Sequence, residues 1–465
     1  MRARTFQVVS FGCKVNQAEG ESLAARLRAR GLEQAAAGAP PDVVVVNTCA
    51  VTGEAARQAR QSVRRAIRGG AAVVVTGCAA HPAAQDAALR AIPEVLFLEP
   101  DKDRVAERLT ERGTRNPELG AQGREAVALP AVVGSELRVP GSAFSSRARA
   151  LLKIQDGCPA SCAYCIVPKV RPAVWSLAPD EAARRVGQLL AAGYREVVLC
   201  GIRLGLYGVL NAECGEVRNE QEQTPRLAAA LTRRVCPGGL VELLDRLVAL
   251  PGRWRLRLSS IEPMEVSDAL LARLAARPDR LCPHLHVPLQ SGSDAVLRRM
   301  GRPYSSAEFL AKVGRIREVL PQPAVTTDVL VGFPGETDED HRATLRVCRE
   351  AAFSRIHVFP FSKRPGTRAA AMKPEVPRDV IRARRRAVAA LGEELAARFR
   401  ESLIGGTAEV VLERLLPGGE AEGTSERYVR VRVTGLTPAA ARRDLVAVRL
   451  ARTAGGRLEG EAAPG

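Results

Sequence analysis

The first hundred residues alternate between short apolar runs and stretches with the hydrophobic spacing of an amphipathic helix. The runs FQVVSF, DVVVVN and AAVVVTG have strand length, and a helical stretch follows each of them. Such alternation predicts a parallel sheet with helices on its faces. Cys13, Cys49 and Cys78 come just after the three runs. Because ligands bind at the carboxyl ends of parallel strands, we expect these cysteines to lie together at one edge of the sheet.

A second series of alternating strands and helices begins near residue 150. Helical stretches such as PDEAARRVGQLLAAG and SAEFLAKVGRIREVL separate its strand candidates. Six strand–helix units of this kind predict a partial version of the eightfold β/α barrel. The strand candidates are ALLKIQ, REVVLC, RWRLRLSS, HLHVPL, AVTTDVLVG and RIHVFPF.

From about residue 404 the pattern changes to short alternating strands, GTAEVVLERLL, RYVRVRVTG and DLVAVRLA, separated by glycine-rich turns. This pattern predicts a small all-β module. Arg427, Arg430 and Arg432 beside Tyr428 indicate a nucleic-acid-binding barrel. The alternative is a β-domain that merely covers the larger barrel.

The fold class is therefore α/β, with a parallel α/β domain, a partial barrel and a small β-barrel in chain order. We predict an amino-terminal domain at 1–112, a linker at 113–146, the partial barrel at 147–400 and the β-module at 401–465. Residues 208–239, which contain Cys214 and Cys236, form an irregular insertion that the pattern does not explain.

Composition narrows the class of protein. The chain has 465 residues, too many for one ordinary core, and is 46% hydrophobic and 26% charged, as soluble globular proteins are. No apolar run is long enough to span a bilayer and the start lacks a signal-peptide pattern, so we expect a cytoplasmic protein without a membrane partner. The net charge of +18 favours a polyanionic partner, with nucleic acid the first candidate. The alternative is that the arginine content reflects genome composition.

The eleven cysteines indicate metal binding or catalysis rather than disulfides in a cytoplasmic chain. In GCPASCAYC, Cys158, Cys162 and Cys165 follow a predicted strand in C-x3-C-x2-C spacing. Three such thiolates suit an iron–sulfur cluster with one iron left open for a substrate or cofactor. A zinc site would more often show paired C-x2-C knuckles. For the three earlier cysteines, the competing interpretation is ordinary packing as small buried residues.

The cluster loop resembles that of the radical S-adenosylmethionine (SAM) enzymes, and further blocks extend the resemblance. SFGCKVNQAE, VVNTCAVTGEA and VVVTGCAA resemble the amino-terminal domain of the methylthiotransferases. LKIQDGCPASCAYCIVP, HLHVPLQSGSDAVLRRM, TDVLVGFPGET and FPFSKRPGTRAA resemble that family's barrel, and GTSERYVRV its RNA-binding TRAM module. The whole chain is covered.

The resemblance implies two 4Fe–4S clusters and SAM as cofactors. Cys158, Cys162 and Cys165 would hold the cluster that binds and cleaves SAM. Cys13, Cys49 and Cys78 would hold an auxiliary cluster, where the sulfur is methylated and handed on. The 5′-deoxyadenosyl radical would cut a substrate carbon–hydrogen bond, and the methylthio group would be installed there. No catalytic side chain beyond the cluster ligands is implied.

Several residues near the predicted site are candidates for contact with cofactor or substrate. Tyr164 is a candidate for packing near the adenine, against ordinary loop packing. Gly201 would allow close approach of the cofactor, or simply open a turn. Polar residues at strand ends of a barrel usually function, which makes Glu262, Gln290 and Ser291 candidates.

The chain departs from the family pattern at three positions. In VRPAVWS, Arg171 and Ser176 are kept, but Pro172 and Trp175 stand where Gly and Arg are usual. Arg203 stands where an uncharged or weakly charged polar residue is more familiar. The contacts of these two segments are therefore open.

NTCAVTGEAARQARQSVRRAI most resembles the enzymes that act on N6-threonylcarbamoyladenosine beside the tRNA anticodon. The alternatives are isopentenyladenosine in tRNA and an aspartate of a ribosomal protein. A more distant one is a non-catalytic iron–sulfur protein that binds RNA. The family also implies an electron donor such as a flavodoxin or ferredoxin, and we expect no DNA partner.

Overall fold

The computed structural model describes residues 5–36, 38–84, 86–110, 147–208 and 239–463. They form two compact units. The first contains the described residues up to 110 together with segments 165–171 and 364–367, and the second contains the rest. The predicted linker at 113–146 lies outside the described residues, as does nearly all of the 208–239 insertion with Cys214 and Cys236.

The first unit is built on a five-stranded parallel sheet in the order β2-β1-β3-β4-β5. Each pair of neighbouring strands runs parallel. The strands are β1 (Thr5–Ser10), β2 (Glu33–Gln34), β3 (Val43–Thr48), β4 (Ala72–Gly77) and β5 (Val95–Glu99). The helices are α1 (Lys14–Ala29), α2 (Gly53–Arg68), α3 (Ala87–Arg90), α4 (Lys102–Thr110) and α5 (Val167–Val170).

Helices on both faces of the sheet bury β3 along its whole length, which explains its uninterrupted valines. Val43 and Val45 pack in the cluster that contains Leu23 and Leu27 of α1 and Val105 of α4. The intervening Val44 and Val46 pack in the opposite cluster, which contains Val63 of α2. The period of two along a strand thus divides one apolar run between two cores.

One element of this unit differs from the prediction. Residues 81–92 were expected to form a full helix, but they form a short 3₁₀ turn at Pro82–Ala84 and the single turn of α3. Pro82 cannot donate a helical hydrogen bond. Asp86 then starts α3 by accepting a hydrogen bond from the Leu89 amide at 3.0 Å.

In the second unit all six predicted barrel strands are present. Two parallel sheets, β6-β9-β10 and β11-β12-β13, are joined by parallel bridges from Leu256 to Leu281 and from Ser260 to His286. This arrangement confirms the partial barrel. The strands are β6 (Ala150–Lys153), β7 (Gln155–Asp156), β8 (Trp175–Ser176), β9 (Glu196–Cys200), β10 (Arg255–Leu258), β11 (His284–His286), β12 (Ala324–Val331) and β13 (Arg355–Pro360).

The helices of the second unit pack around these strands and follow them in chain order, with two consecutive helices after β11. They are α6 (Pro179–Ala191), α7 (Gly239–Val248), α8 (Asp268–Ala276), α9 (Asp294–Met300), α10 (Ser306–Val319), α11 (Asp338–Ala351) and α12 (Arg378–Glu401). Within the described residues, no helix is both long enough and apolar enough to cross a membrane.

The carboxy-terminal module is a closed five-stranded barrel in the order β14-β15-β16-β18-β17. Its strands are β14 (Thr407–Leu416), β15 (Glu420–Ser425), β16 (Arg430–Thr434), β17 (Leu445–Ala454) and β18 (Arg457–Ala462). The sequence pattern missed β15 and β18, because EAEGTS and RLEGEA are poor in branched and aromatic residues. The module belongs to the same compact unit as the partial barrel.

A buried charge network attaches this module to the partial barrel. Glu196, fully buried, pairs with Arg255 at 2.5 Å and with Arg257 at 2.7 Å. The same guanidinium groups donate to the Thr424 and Ser425 carbonyl oxygens, each at 2.9 Å. Buried charges are expensive unless paired and hydrogen-bonded, and here both conditions are met across the contact.

Of the residues expected to contact RNA, Tyr428 packs within the protein, whereas the side chains of Arg430 and Arg432 remain 67% and 42% exposed. The Tyr428 ring lies 4.7 Å from the His284 ring and 5.1 Å from the Arg257 guanidinium. Arg430 and Arg432 pair with Glu413 and Glu420. Tyr428 therefore forms part of the contact between the two barrels. This favours the interpretation that the β-module covers the larger barrel at Tyr428.

Candidate iron–sulfur centres

The parallel register brings the ends of three strands of the first unit side by side. Ser10 of β1 pairs with Asn47 of β3, and Thr48 of β3 pairs with Gly77 of β4. Cys13, Cys49 and Cys78 follow these positions by one to three residues. Cys13 directly precedes α1, and Cys78 opens a short 3₁₀ turn.

The three thiols are close enough to act on one another electrostatically. Cys13 keeps some exposed surface, but many protein atoms surround its thiol. The resulting desolvation raises the pKa of the Cys13 thiol to about 12, and the neighbouring Cys49 adds to the rise. Cys49 and Cys78 are 2% and 8% exposed. Burial raises the pKa of Cys49, and Cys78 adds to the rise. A metal centre binds the thiolate form, so metal ligation offsets the free-energy cost of deprotonating these buried thiols.

Gly12 is required by the close approach of two loops. Its φ is +89°, and a Cβ there would lie 2.5 Å from Cys49 Sγ. Behind the thiols, Asn16 and Asn47 tie the strand ends together. Asn16 Nδ2 donates to the Phe11 and Thr48 carbonyl oxygens at 2.7 and 3.1 Å, and Asn47 Nδ2 donates to the Asn16 carbonyl oxygen at 2.6 Å.

Arg171 reaches this group from α5, within the first unit. Its Nε donates to Cys78 Sγ at 3.3 Å, and its two terminal nitrogens grip the Glu19 carboxylate at 2.7 Å each. Lys102 Nζ contacts the same carboxylate at 2.8 Å. Arg171, whose role the sequence left open, is thereby fixed in orientation against a cysteine.

Among the described residues, no three His, Cys, Asp or Glu side chains are arranged to hold a single metal ion. A 4Fe–4S cube is larger than one ion, and each thiolate binds a different corner of it. Three thiols on neighbouring strand ends, the side-chain-free approach at Gly12 and a cation at Cys78 fit such a cube.

The second cysteine loop begins directly after β7 of the second unit. Gly157 (φ +76°) lies so close to the following chain that a Cβ would fall 2.0 Å from the Ala173 carbonyl oxygen. The Ala163 amide donates to the Met300 carbonyl oxygen, and the Ala369 amide donates to the Ala163 carbonyl oxygen, each at 2.8 Å. Backbone bonds at Ala163 therefore hold the loop in place beside Cys162. Cys165 is the first residue of the segment that groups with the first unit.

Charged side chains from loops of the partial barrel approach this cysteine loop. Arg302 Nη1 donates to Cys162 Sγ at 3.5 Å, while its Nη2 pairs with Glu262. Tyr304, which accepts from Arg302 Nε at 3.1 Å, donates to the Pro288 carbonyl oxygen at 2.9 Å. A cation is thus held at a second cysteine by a carboxylate, as at Cys78.

Arg203 occupies a related place beside Cys158. Its Nε donates to Glu265 at 2.5 Å and its amide to Gln155 Oε1 at 2.8 Å. Burial raises the pKa of Cys158, and the Ala160 amide and Arg203 oppose that rise. The unusual arginine is therefore compensated by Glu265, and its charge acts on a predicted cluster ligand.

The remaining predicted cofactor residues differ in their surroundings. Tyr164 packs against the cluster of Met300 and Phe333. A Cβ on Gly201 would meet Gln155 Oε1 at 2.9 Å, so close packing accounts for the glycine. Gln290 has a φ of +65°, and its amide donates to the Asp328 carbonyl oxygen at 2.8 Å. Ser291 is fully buried, 3.3 Å from Thr344 Oγ1. Of the predicted set, Glu262 is the one whose charge acts on Cys158.

Asn16, Asn47 and Arg302 were not predicted as site residues from the sequence, and no partner was predicted for Arg171 or Arg203. Asn16 and Asn47 stand two or three residues from a cysteine, inside the motifs, and that proximity was an available signal. Arg171 and Arg302 reach cysteines 93 and 140 residues away, so no local pattern could reveal them.

Two family models match the chain. Residues 152–348 match the radical SAM superfamily, and residues 5–98 match the uncharacterized protein family UPF0004. The first range contains the C-x3-C-x2-C loop and the partial barrel as far as α11, without β13 and α12. The second contains Cys13, Cys49 and Cys78.

Curated relatives extend over nearly the whole chain. The threonylcarbamoyladenosine tRNA methylthiotransferase MtaB of Bacillus subtilis is 36% identical over 91% of this chain and 88% of its own length. The protein of the same name from Thermotoga maritima is 32% identical over 93% of this chain and 92% of its length. The tRNA-2-methylthio-N(6)-dimethylallyladenosine synthase of Mycolicibacterium paratuberculosis is 36% identical over 88% and 76%.

A solved structure supports the fold. The radical SAM methyltransferase TsrM of Kitasatospora setae matches with a TM-score of 0.51 over 79% of this chain and 75% of its own, at 17% identity. The partial barrel and its cysteine loop define an enzyme of the radical SAM class. The chain belongs to the radical SAM methylthiotransferase family, whose enzymes use SAM and 4Fe–4S clusters.

Proposed function

We propose that this methylthiotransferase acts on tRNA and installs a methylthio group at C2 of N6-threonylcarbamoyladenosine next to the anticodon. Cys158, Cys162 and Cys165 hold the cluster that binds SAM. Cys13, Cys49 and Cys78 hold the auxiliary cluster. The observation that carries the proposal is the presence of two separate three-cysteine sets, since each leaves one corner of a cube open for chemistry.

The side chains around each set orient and tune it. Bound SAM and a reduced cluster supply the one-electron chemistry that breaks a substrate carbon–hydrogen bond. Arg302 places a cation at Cys162 and Arg171 places one at Cys78. Hydrogen bonds to cluster sulfurs shift reduction potentials, so these arginines make the clusters easier to reduce. Glu262, held by Arg302, is the polar side chain best placed to meet the cofactor.

The stretch NTCAVTGEAARQARQSVRRAI supports the threonylcarbamoyl branch, as do the names of the Bacillus and Thermotoga relatives. The net charge of +18 suits an RNA substrate. The second candidate is dimethylallyladenosine (isopentenyladenosine) in tRNA, because the Mycolicibacterium relative is also 36% identical. A cytoplasmic location and a flavodoxin or ferredoxin as electron donor complete the proposal.

Mass spectrometry of tRNA nucleosides from cells with and without this gene tests the substrate. We expect loss of 2-methylthio-N6-threonylcarbamoyladenosine and accumulation of its precursor that lacks the methylthio group. Loss of the dimethylallyl counterpart instead would leave the chemistry standing and assign the second candidate. Unchanged tRNA would contradict both.

A further inference from the structure

Polar side chains share one face of the sheet β11-β12-β13 in the second unit. The register pairs His286 with Thr326 and Asp328 with His357, and side chains in register on neighbouring strands project from the same face. Helix α12 covers the other face, because a Cβ on its Gly392 would lie 3.2 Å from Ile356 Cβ. The polar face is therefore the inside of the partial barrel. Its polar residues are His284, His286, Thr326, Asp328 and His357.

These side chains form a chain of contacts along the barrel interior. His284 lies at the end that the β-module covers, where its ring packs on Tyr428. Thr326 Oγ1 lies 3.2 Å from His284 Nε2 and 3.0 Å from His286 Nδ1. His286 Nε2 in turn lies 3.3 Å from Asp328 Oδ1. The contacts thus run from the covered end of the barrel toward the carboxyl ends of its strands.

The layer formed by Asp328 and His357 lies next to the cysteine loop. Leu330, two residues beyond Asp328 on the same face, packs in the apolar cluster that contains Tyr164 of that loop. Two residues along a strand span about 7 Å. Within β12, Asp328 and Leu330 keep exposed surface while the other residues are buried, and the Asp328 side chain is 26% exposed. The interior is therefore open at this layer, within reach of a substrate held at the cysteine loop.

The open layer is also accessible from one side of the barrel. Among the described residues, β13 is an edge strand of its sheet, paired with β12. Arg355 of β13, two residues before His357 on the same face, is exposed, and no carboxylate of the described part of the chain pairs with it. A guanidinium, an imidazole and a carboxylate therefore share the inner face at this edge. Together they offer both donors and an acceptor of hydrogen bonds.

This set of groups distinguishes the two candidate nucleosides. The threonylcarbamoyl group carries a carboxylate, a hydroxyl and urea N–H groups, whereas the dimethylallyl group is a hydrocarbon. Arg355 and His357 suit the carboxylate, and Asp328 suits a urea or hydroxyl donor. A hydrocarbon in the same place would desolvate Asp328 without supplying a hydrogen bond, which is costly. Sites built to hydrogen-bond a substrate group discriminate strongly against analogues that lack the group.

We propose that Arg355, His357 and Asp328 bind the threonylcarbamoyl group on the inner face of the partial barrel and select it over apolar N6 substituents. This inference rests on the proposed function, because it takes N6-threonylcarbamoyladenosine as the substrate. It concerns recognition only, without a covalent step. His286 is a positioning residue, since it holds Asp328 in the orientation that meets the substrate.

The test uses anaerobic holoenzyme and one anticodon-arm RNA that carries threonylcarbamoyladenosine, its methyl ester or dimethylallyladenosine at the same position. Fluorescence anisotropy measures the affinity for each RNA. Arg355→Gln should weaken binding of the threonylcarbamoyl RNA at least ~10-fold, because a charge-assisted hydrogen bond is lost. The same variant should not weaken binding of the ester, which has no carboxylate charge. Arg355→Lys should retain most of the affinity, and Arg349→Gln, at an exposed arginine of α11, is the matched control.

A second variant keeps the ring but removes its hydrogen bonds. His357→Phe should lower the ratio of kcat/KM for the threonylcarbamoyl RNA to that for the dimethylallyl RNA at least ~10-fold. Equal losses for all three RNAs, or no loss in either Arg355→Gln or His357→Phe, would overturn the proposal. Failure of the proposed substrate looks different: the unmodified enzyme would itself bind the threonylcarbamoyl RNA no better than the dimethylallyl RNA.

Discussion

Arg171 donates a hydrogen bond from Nε to Cys78 Sγ at 3.3 Å while its terminal nitrogens clasp Glu19. The carboxylate fixes the plane of the guanidinium, and the guanidinium places a positive charge at a predicted cluster ligand. These two contacts give Arg171 a structural role in a segment where Pro172 and Trp175 depart from the family pattern. Arg171 is therefore a positioning and tuning residue of the auxiliary centre.

Arg171→Gln should lower the reduction potential of the auxiliary cluster by tens of millivolts, because a donor that stabilises the extra negative charge is removed. A redox titration monitored by electron paramagnetic resonance measures the shift. Lys102→Gln is the matched control, since Lys102 contacts the same Glu19 carboxylate, whereas the hydrogen bond to Cys78 Sγ comes from Arg171. An equal shift in both variants would assign the effect to Glu19 rather than to the bond at sulfur.

Gly12→Ala should prevent assembly of the auxiliary cluster and leave the radical cluster intact. The added Cβ would fall 2.5 Å from Cys49 Sγ, and the residue would be held at a φ of +89°. Gly31→Ala provides the control, because Gly31 has a φ of +87° and no atom within 4 Å of the new Cβ. Both variants should lose about 1–2 kcal/mol from backbone strain. Iron analysis should show cluster loss for Gly12→Ala alone.

Replacing the two cysteine sets should separate two activities. Alanine at Cys158, Cys162 and Cys165 should abolish formation of 5′-deoxyadenosine. Alanine at Cys13, Cys49 and Cys78 should spare part of that cleavage and stop methylthiolation. Chromatography of both products in one reaction measures the split. Complete loss of cleavage in a folded variant of the second kind would contradict the assigned division.

Glu196→Gln should destabilise the second unit at neutral pH by about 3–5 kcal/mol, because it removes the buried carboxylate that pairs with both Arg255 and Arg257. Burial alone would raise the pKa of Glu196, but Arg257 and Arg255 outweigh it and hold the pKa far below its ordinary 4.5. Its stabilising contribution is therefore present above pH 4.5 and is lost as the pH falls through the folded-state value.

Thermal melts of the wild-type and Glu196→Gln chains from pH 7 downward test this. The difference between them should be largest near neutrality and should shrink at pH values well below 4.5. Glu181→Gln, which removes a partly exposed partner of the exposed Arg184 and Arg185, should have little effect. A difference between wild type and Glu196→Gln that does not depend on pH would contradict the account.

The sequence was sufficient for the strands that carry the cysteines, because a run such as VVVVNT suits only a strand covered on both faces. It failed at β15 and β18, whose residues have weak strand preference and are paired by closure of the barrel. Tyr428 illustrates a different limit. Its arginine neighbours indicated RNA, but its ring packs on His284 and Arg257, more than a hundred residues away in the chain.

The cysteines themselves were visible from spacing, whereas the groups that tune them were not. Arg171 and Arg302 act on cysteines through contacts that the fold alone creates. Asp328 and His357 likewise meet only where β12 pairs with β13. Long-range charge pairs leave no periodic trace along a chain, so these parts of the site required the structure.

The most direct test of the central claim is one anaerobic reaction of the purified, reconstituted enzyme with SAM, a strong reductant, sulfide and tRNA that lacks the methylthio group. Mass spectrometry would quantify 5′-deoxyadenosine and the modified nucleoside together. The account predicts both products, with 2-methylthio-N6-threonylcarbamoyladenosine formed in the tRNA. SAM cleavage without any methylthiolated nucleoside, from protein that holds both clusters, would contradict it.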